Sequence, residues 1–344
     1  MKKFICTVLA LCTALTISGC GKKKQLVDTN AVVETPPEQA VNTNAVNQLT
    51  GVQDLNPDKE NVRPVAIMVD NDSNAQTYTQ NGVCFADIVY ETETEGGITR
   101  LMCVYKDIEK IGQIGDVRSA RYVYVDLAMG HNAIYVHSGK DPDFCAPHLK
   151  DLDNFEIATN TYGQRITYGK AFNWQTLFTT GATLWKGFAD KKWNTAGDNK
   201  AWQNFASENE TVTLSGESAQ KATADFNGAY ISYFNYNAET GKYLKTSIHS
   251  ANKNREDGTP YSFKNVFLIK TNMSYYPGNY RRKIDLNSGE GYYLTNGKYE
   301  KIKWKKGNSK DPFVFTKADG STLTVSAGNS WVCIMPTSAK ISFE

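Results

Sequence analysis

Three spacings of apolar residues divide the chain. "VAIMVD" (65–70) and "IYVH" (134–137) are continuous apolar runs of strand length, and "ADIVYET" and "ITRLMCVYK" lie between them on either side of Glu95-Gly96-Gly97. Runs without alternation indicate strands covered on both faces. From Ser119 the spacing becomes helical, with Ala120, Val123, Leu127 and Gly130 three or four residues apart and Gly130 placed to end the helix. Looser helical patterns follow near "DFCAPHLKDLD" and "TTGATLWKGFADKKW". Beyond about residue 220 the period falls to two. "YISYFNYNAETGKYLKT", "GYYLTNGKYEKIKWKK" and "FVFTKADGSTLTVS" are expected hairpins that turn at Glu239-Thr240-Gly241, Asn296-Gly297 and Asp319-Gly320. In the second of these Ile302 and Trp304 share one face, and Lys301, Lys303 and Lys305 form a solvated stripe on the other.

The pattern predicts an α+β or α/β chain: an N-terminal mixed α/β sandwich domain over 61–220, then a mainly antiparallel β domain over 221–344.

The N-terminus changes where this fold is expected to work. Lys2 and Lys3 precede an apolar run from Phe4 to Ile17 that closes in Ile17-Ser18-Gly19-Cys20. The run is too short to span a bilayer, which takes about 20 residues. A cysteine after two small residues resembles a lipobox. The resemblance implies a signal peptide over 1–19 and acylation (palmitate) of Cys20, which anchors the protein to the cell membrane on its extracytoplasmic face. Residues 20–60, rich in Asn, Thr, Gln and Pro and without an aromatic residue, are expected to be a flexible tether reaching roughly 35 Å.

Charge narrows the partners. Lys and Arg total 38 against 36 Asp and Glu; removal of Lys2 and Lys3 with the signal leaves 36 of each. A neutral balance gives no basic field for nucleic acid, so any recognition of an anion must be local. Of seven cysteines, Cys84, Cys103, Cys145 and Cys333 lie beyond Cys20 with no zinc spacing, and whether they form a disulfide stays open. "DNDSN" (70–74) opens like a calcium loop but has Ala75 and Asn81 where Gly and Glu are required. P-loop and G-x-S-x-G patterns are absent, and the pair Cys145 and His148 lacks an orienting third residue. No metal or cofactor is expected, and the residues leave open which, if any, are catalytic.

What remains is Arg118 and Arg121, where a strand-end loop enters a helix. Asp70, Glu91, Glu95, Arg100 and His137 fall in or near the ends of neighbouring strands, where open sheets bind ligands. These seven residues form the candidate anion site. The two guanidiniums hold a phosphate-bearing ligand, pair internally with Asp116, Asp126 or Glu95, or stand idle; the residues alone leave the three open.

"RPVAIMVDN", "ADIVYET", "EGGITRLMCVY", "IGDVRSAR", "AIYVHSG", "FKNVFLI", "KIKWKK" and "GNSWVCIMP", in this order behind a lipobox, resemble the YerB-like lipoprotein family over 61–336. The resemblance implies N- and C-terminal domains on the bacterial cell surface, with an uncharacterised activity. Tyr122 stands where that family tends to have Pro, and Ala171-Phe172-Asn173 where Pro-His-Asn is common. The order of strands, arginine loop and helix is also similar to the LytR-CpsA-Psr phosphotransferases, with Val117-Arg118-Ser119 in place of their Pro-Arg-Asp. The expected function is binding of a cell-envelope component, whether anionic glycan, phosphate-bearing ligand or protein partner. The alternative is phosphotransfer from a polyprenyl-pyrophosphate-linked saccharide. Exposed Tyr275-Tyr276 and Tyr292-Tyr293 would suit a glycan or protein surface.

Overall fold

The computed structural model describes residues 43–344. The expected signal peptide, Cys20 and the first part of the expected tether lie outside the described residues. No described helix is long and apolar enough to cross a membrane.

Three strands set the frame: β1 (Val65–Asp70), β2 (Ile88–Glu93) and β3 (Thr99–Tyr105), every residue of which is buried. β3 lies between the other two and is antiparallel to both. On the far side of β1 comes Ile134–His137, parallel to it, and then Asn154–Glu156. On the far side of β2 the sheet continues through Ser330–Pro336, Asn265–Thr271, Ser288–Thr295, Lys298–Lys305 and Val314–Lys317, ten strands in all. One core fills each face. Met68, Tyr90, Met102 and Tyr135 pack with helix α2 (Tyr122–Gly130) on one side. Ile67, Val89, Leu101 and Cys103 look the other way, toward a layer that includes Phe234, Tyr243 and Phe263 of a five-stranded antiparallel sheet. Double coverage explains why the strands of the N-terminal half are apolar without alternation.

The α+β class expected from the sequence holds, with mixed and antiparallel sheets. The three hairpins turn where the glycines predicted, and in Lys298–Lys305 Ile302 and Trp304 are buried while Lys301, Lys303 and Lys305 are exposed. Gly130 is the last residue of α2, not a cap beyond it: His131 caps the helix, and a Cβ on Gly130 would meet the Asp311 carbonyl at 2.7 Å.

Two expectations are corrected. The tether does not extend to residue 60: Ala45 and Leu55 bridge each other, and Leu49 and Leu55 are buried against the fold. Apolar side chains this sparse look like linker in sequence, yet the two leucines, with hydrogen bonds from Asn47 to Asp87, from Trp202 to Gln48 and from Gly328 to Thr50, dock the segment. The change of period near residue 220 also does not separate two bodies. Ser330–Pro336 pairs in parallel with β2 and with Asn265–Thr271, and 42–344 forms one compact unit. Proteolysis between about 205 and 228 is therefore not expected to part the halves. Residues 43–220 produced alone should lack a cooperative thermal transition and aggregate, because they leave β2 as an open edge and uncover the normally buried Glu91 and Glu93 with Ile88, Val89 and Tyr90. A dispersed amide spectrum from that fragment would contradict the shared sheet.

Candidate functional site

The candidate residues are sorted by the pleat. The register sets Asp70 directly opposite Arg100 on β1 and β3, and Glu91 opposite Leu101 on β2 and β3. Residues directly opposite share a face and neighbours alternate. Arg100 and Asp70 thus face the α2 side, and Glu91 the layer between the sheets. There Glu91 is almost fully buried, accepting from Asn71 (3.0 Å), Thr99 (3.1 Å), Ser232 (2.9 Å) and Trp331 Nε1 (3.1 Å). Its placement with the arginines is corrected: it belongs to the inter-sheet polar network. His137, two residues beyond Tyr135, lies on the same face as Asp70 and Arg100, but its ring nitrogens are taken up locally. It ends its strand fully buried, with Nδ1 2.9 Å from the Gly139 carbonyl and Nε2 3.2 Å from Asn154 Oδ1, beside Glu156 at 3.4 Å.

The remaining five residues do come together, around the loop 116–121. Gly139 lets this loop lie against the end of the neighbouring strand: Ala120 N donates to its carbonyl at 2.9 Å, and a Cβ there would approach Ser119 Oγ to 3.1 Å at a φ of +79°. Arg121 precedes α2 and forms a two-pronged ion pair with Glu95, Nε to Oε1 at 2.6 Å and NH2 to Oε2 at 2.8 Å. Glu95 also receives Arg281 at 3.0 Å, and Arg281 reaches Asp141 at 3.2 Å. Beside it Arg282 pairs with the buried Glu93 at 2.6 Å. The hairpin carrying Arg281 and Arg282, Met273–Tyr275 with Arg282–Ile284, is thereby clamped onto the arginine loop. Nothing in the sequence near residue 100 signals Arg281, which lies 186 positions from Glu95.

Arg118 and Arg100 are differently placed. Arg118 NH1 donates to the Trp174 carbonyl at 3.0 Å, and its Nε stands 3.5 Å from Asp70 Oδ2 without a hydrogen-bond partner. Arg100 is 5% exposed; its guanidinium donates to the Ser119 carbonyl at 3.2 Å, and its Nε is buried without a partner. Burial, with Arg121 and Arg118 nearby, lowers the Arg100 pKa to about 10 although Asp70 pulls the other way. Asp70 Oδ1 accepts the backbone N–H groups of Asn71 (2.9 Å) and Asp72 (3.3 Å). Burial and the proximity of Asp70 push Asp116 well above the usual carboxylate range, and Asp72 upward as well. Two guanidiniums thus stand around Asp70, whose Oδ1 is already taken by two backbone N–H groups.

Sequence reasoning missed Gln175. It is fully buried and donates through Nε2 to Asp72 Oδ1 at 2.8 Å and Asp70 Oδ2 at 3.3 Å, pinning the loop that carries Ala171-Phe172-Asn173 to the site. The exposed pair Phe172 and Trp174 forms its rim. Of the tyrosines singled out, Tyr275 is exposed, Tyr276 stacks on Phe144, Tyr292 packs on Tyr299 and Phe343, and Tyr293 is core. Cys84, Cys103, Cys145 and Cys333 are free thiols. Among the described residues no group of His, Cys, Asp or Glu is gathered to hold a metal.

Burial raises the Glu95 pKa, but Arg121 and then Arg281 outweigh it and bring the carboxyl to about 2. A folded pKa below the unfolded one adds stability above the unfolded value, near 4.5, and loses it as pH falls toward 2. Glu95→Gln should lower the melting temperature at pH 7, and its deficit should shrink as both proteins are melted between pH 4.5 and about 2. A constant deficit across that window would show that the pairs contribute nothing. Arg121→Ala should cost about 1–3 kcal/mol in urea unfolding at pH 7, since it leaves a half-buried carboxylate with one partner.

Two family models match the chain: the N-terminal domain of a protein of unknown function, DUF3048, over residues 49–194, and the DUF3048 C-terminal domain over 222–332. "Putative lipoprotein YerB" of Bacillus subtilis (strain 168) is 27% identical over 350 residues, covering 98% of this chain and 96% of its own. The crystal structure of the YerB protein from Bacillus subtilis superposes with a TM-score of 0.74 at 26% identity, over 87% of this chain and 99% of that one. Two matched domains in order, a full-length relative and a shared fold agree: the chain belongs to the DUF3048 family of YerB-like proteins.

Proposed function

We propose that this protein is a lipid-anchored, extracytoplasmic lipoprotein that binds a phosphate-bearing component of the cell envelope at Arg100 and Arg118. The observation that carries the reading is Arg100. A guanidinium buried to this degree normally finds several acceptors. This one has a single carbonyl, an unpartnered Nε and two neighbouring arginines. An anion entering between Arg100 and Arg118 would meet charge-assisted donors already fixed in place, each contributing about 1.5–3 kcal/mol. Arg121 is assigned the structural role, because Glu95 occupies its fork.

The anchor rests on the lipobox at Cys20 and on the name of the Bacillus subtilis relative, "Putative lipoprotein YerB". No observation favours phosphotransfer. Asp70 and Asp72, the carboxylates that would face a metal, already accept backbone N–H groups at the strand end and at the cap of helix α1 (Ser73–Tyr78).

Two substitutions of opposite sign test the site. Arg118→Gln should weaken binding of inorganic pyrophosphate roughly ten- to a hundredfold, the equivalent of about 1.5–3 kcal/mol. Asp70→Asn removes the carboxylate that competes for Arg118 and should tighten the same binding. If calorimetry shows no pyrophosphate binding to the unmodified protein, or both variants weaken it, the reading fails. For the anchor, Cys20→Ala is expected to move the protein from the membrane to the soluble fraction or to block its processing. A processed Cys20→Ala protein that stays with the membrane would refute lipidation.

A further inference from the structure

Beside the arginines stands a feature that anion binding alone does not use. Phe172 and Trp174 stack on each other with ring centroids 4.7 Å apart and planes at 23°, yet they are 45% and 57% exposed. Exposed rings on a loop usually sit on a mobile tip, but this loop is held from both sides. Gln175 N donates to the Phe172 carbonyl at 2.8 Å, Phe172 N to Gln175 Oε1 at 3.2 Å, and Asn74 Nδ2 to the Lys170 carbonyl at 3.1 Å. Trp174 is tied to the site directly, since its carbonyl accepts from Arg118 NH1 at 3.0 Å. A rigid apolar surface is thus fixed one residue from a guanidinium that has donors to spare.

We infer that Phe172 and Trp174 are a stacking platform for a saccharide ring whose phosphate is held by Arg100 and Arg118, so that the ligand class is a glycosyl phosphate. The inference rests on the anion site proposed above and adds its second half. The face of an indole carries negative quadrupole density, which attracts the row of polarised C–H bonds on one side of a pyranose. The ring hydroxyls then stay at the edge, free for water or for the polar rim. A phosphate one glycosidic bond away falls within the reach of an arginine bonded to the tryptophan's own backbone. A purely apolar occupant would leave the Nε groups of Arg100 and Arg118 without an acceptor, and free phosphate would leave the two rings in water.

The test is a titration of the full-length protein with α-D-glucose 1-phosphate, inorganic phosphate and glucose. Glucose 1-phosphate should bind at least tenfold more tightly than phosphate. Trp174→Ala should remove that margin while changing phosphate affinity less than twofold, and Trp174→Phe should keep most of it. Equal affinities for the two phosphates, or a margin that survives Trp174→Ala, would overturn the platform while leaving the anion site standing. Failure of both phosphates to bind would overturn the two together. Adenosine monophosphate binding as tightly as glucose 1-phosphate would overturn the saccharide in favour of a base. Competition between a phosphate-bearing wall polymer and phosphatidylinositol vesicles for bound glucose 1-phosphate then separates a polymer from a lipid headgroup as the source.

Discussion

The parallel pairing of Ser330–Pro336 with β2 is the contact on which the rest of the molecule depends. It joins five strands from the C-terminal half to the N-terminal strands in one sheet, and it encloses β2 on both edges. It also closes the polar layer beneath, because Trp331 donates to Glu91 from this strand. With β2 and β3 held, the Asp70–Arg100 register at the other end of the sheet is held too. The arginine site is thus positioned by a ladder that begins one strand away from Arg100, with Ile334 paired to Thr92 and Thr92 to Arg100.

At that site the guanidiniums divide into two kinds. Arg121, Arg281 and Arg282 each meet a carboxylate at hydrogen-bond distance and fasten a hairpin to a loop. Arg118 stands near Asp70, Arg100 lies opposite Asp70 in the strand register, and neither Nε is satisfied. A neutral chain can therefore keep unfilled guanidinium donors at one place, because paired and unpaired arginines stand only a few residues apart.

Much of this was legible in the residues, and the losses have definite causes. "TNGKYEKIKWKK" announces its turn and both faces, since alternation survives where one side meets water. "WVCIMP" reads as a buried strand, but a run apolar on both faces carries no sign of its partners, so its pairing with β2 was hidden. The same lack of alternation concealed the direction of Glu91, which turns away from the arginines by a one-residue step. Arg121 was open to three readings because Glu95 lies 26 residues away and the clamp needs Arg281 as well. Leu49 and Leu55 sit in a polar stretch that looks like linker, and only the presence of a receiving surface makes it part of the fold.

The late position of Ser330–Pro336 also bears on the order of events in a chain synthesised from its N-terminus. β1, β2 and β3 come first, and they can pair with one another at once. The outer edge of β2 must then wait for residues more than two hundred positions later. Until they arrive, a six-residue strand, apolar in its first half, faces the surroundings with unpaired backbone groups along one edge. Such an edge invites pairing with other chains, and long-range closures of this kind are slow. The length of time for which that edge stays open is set by the strand order itself.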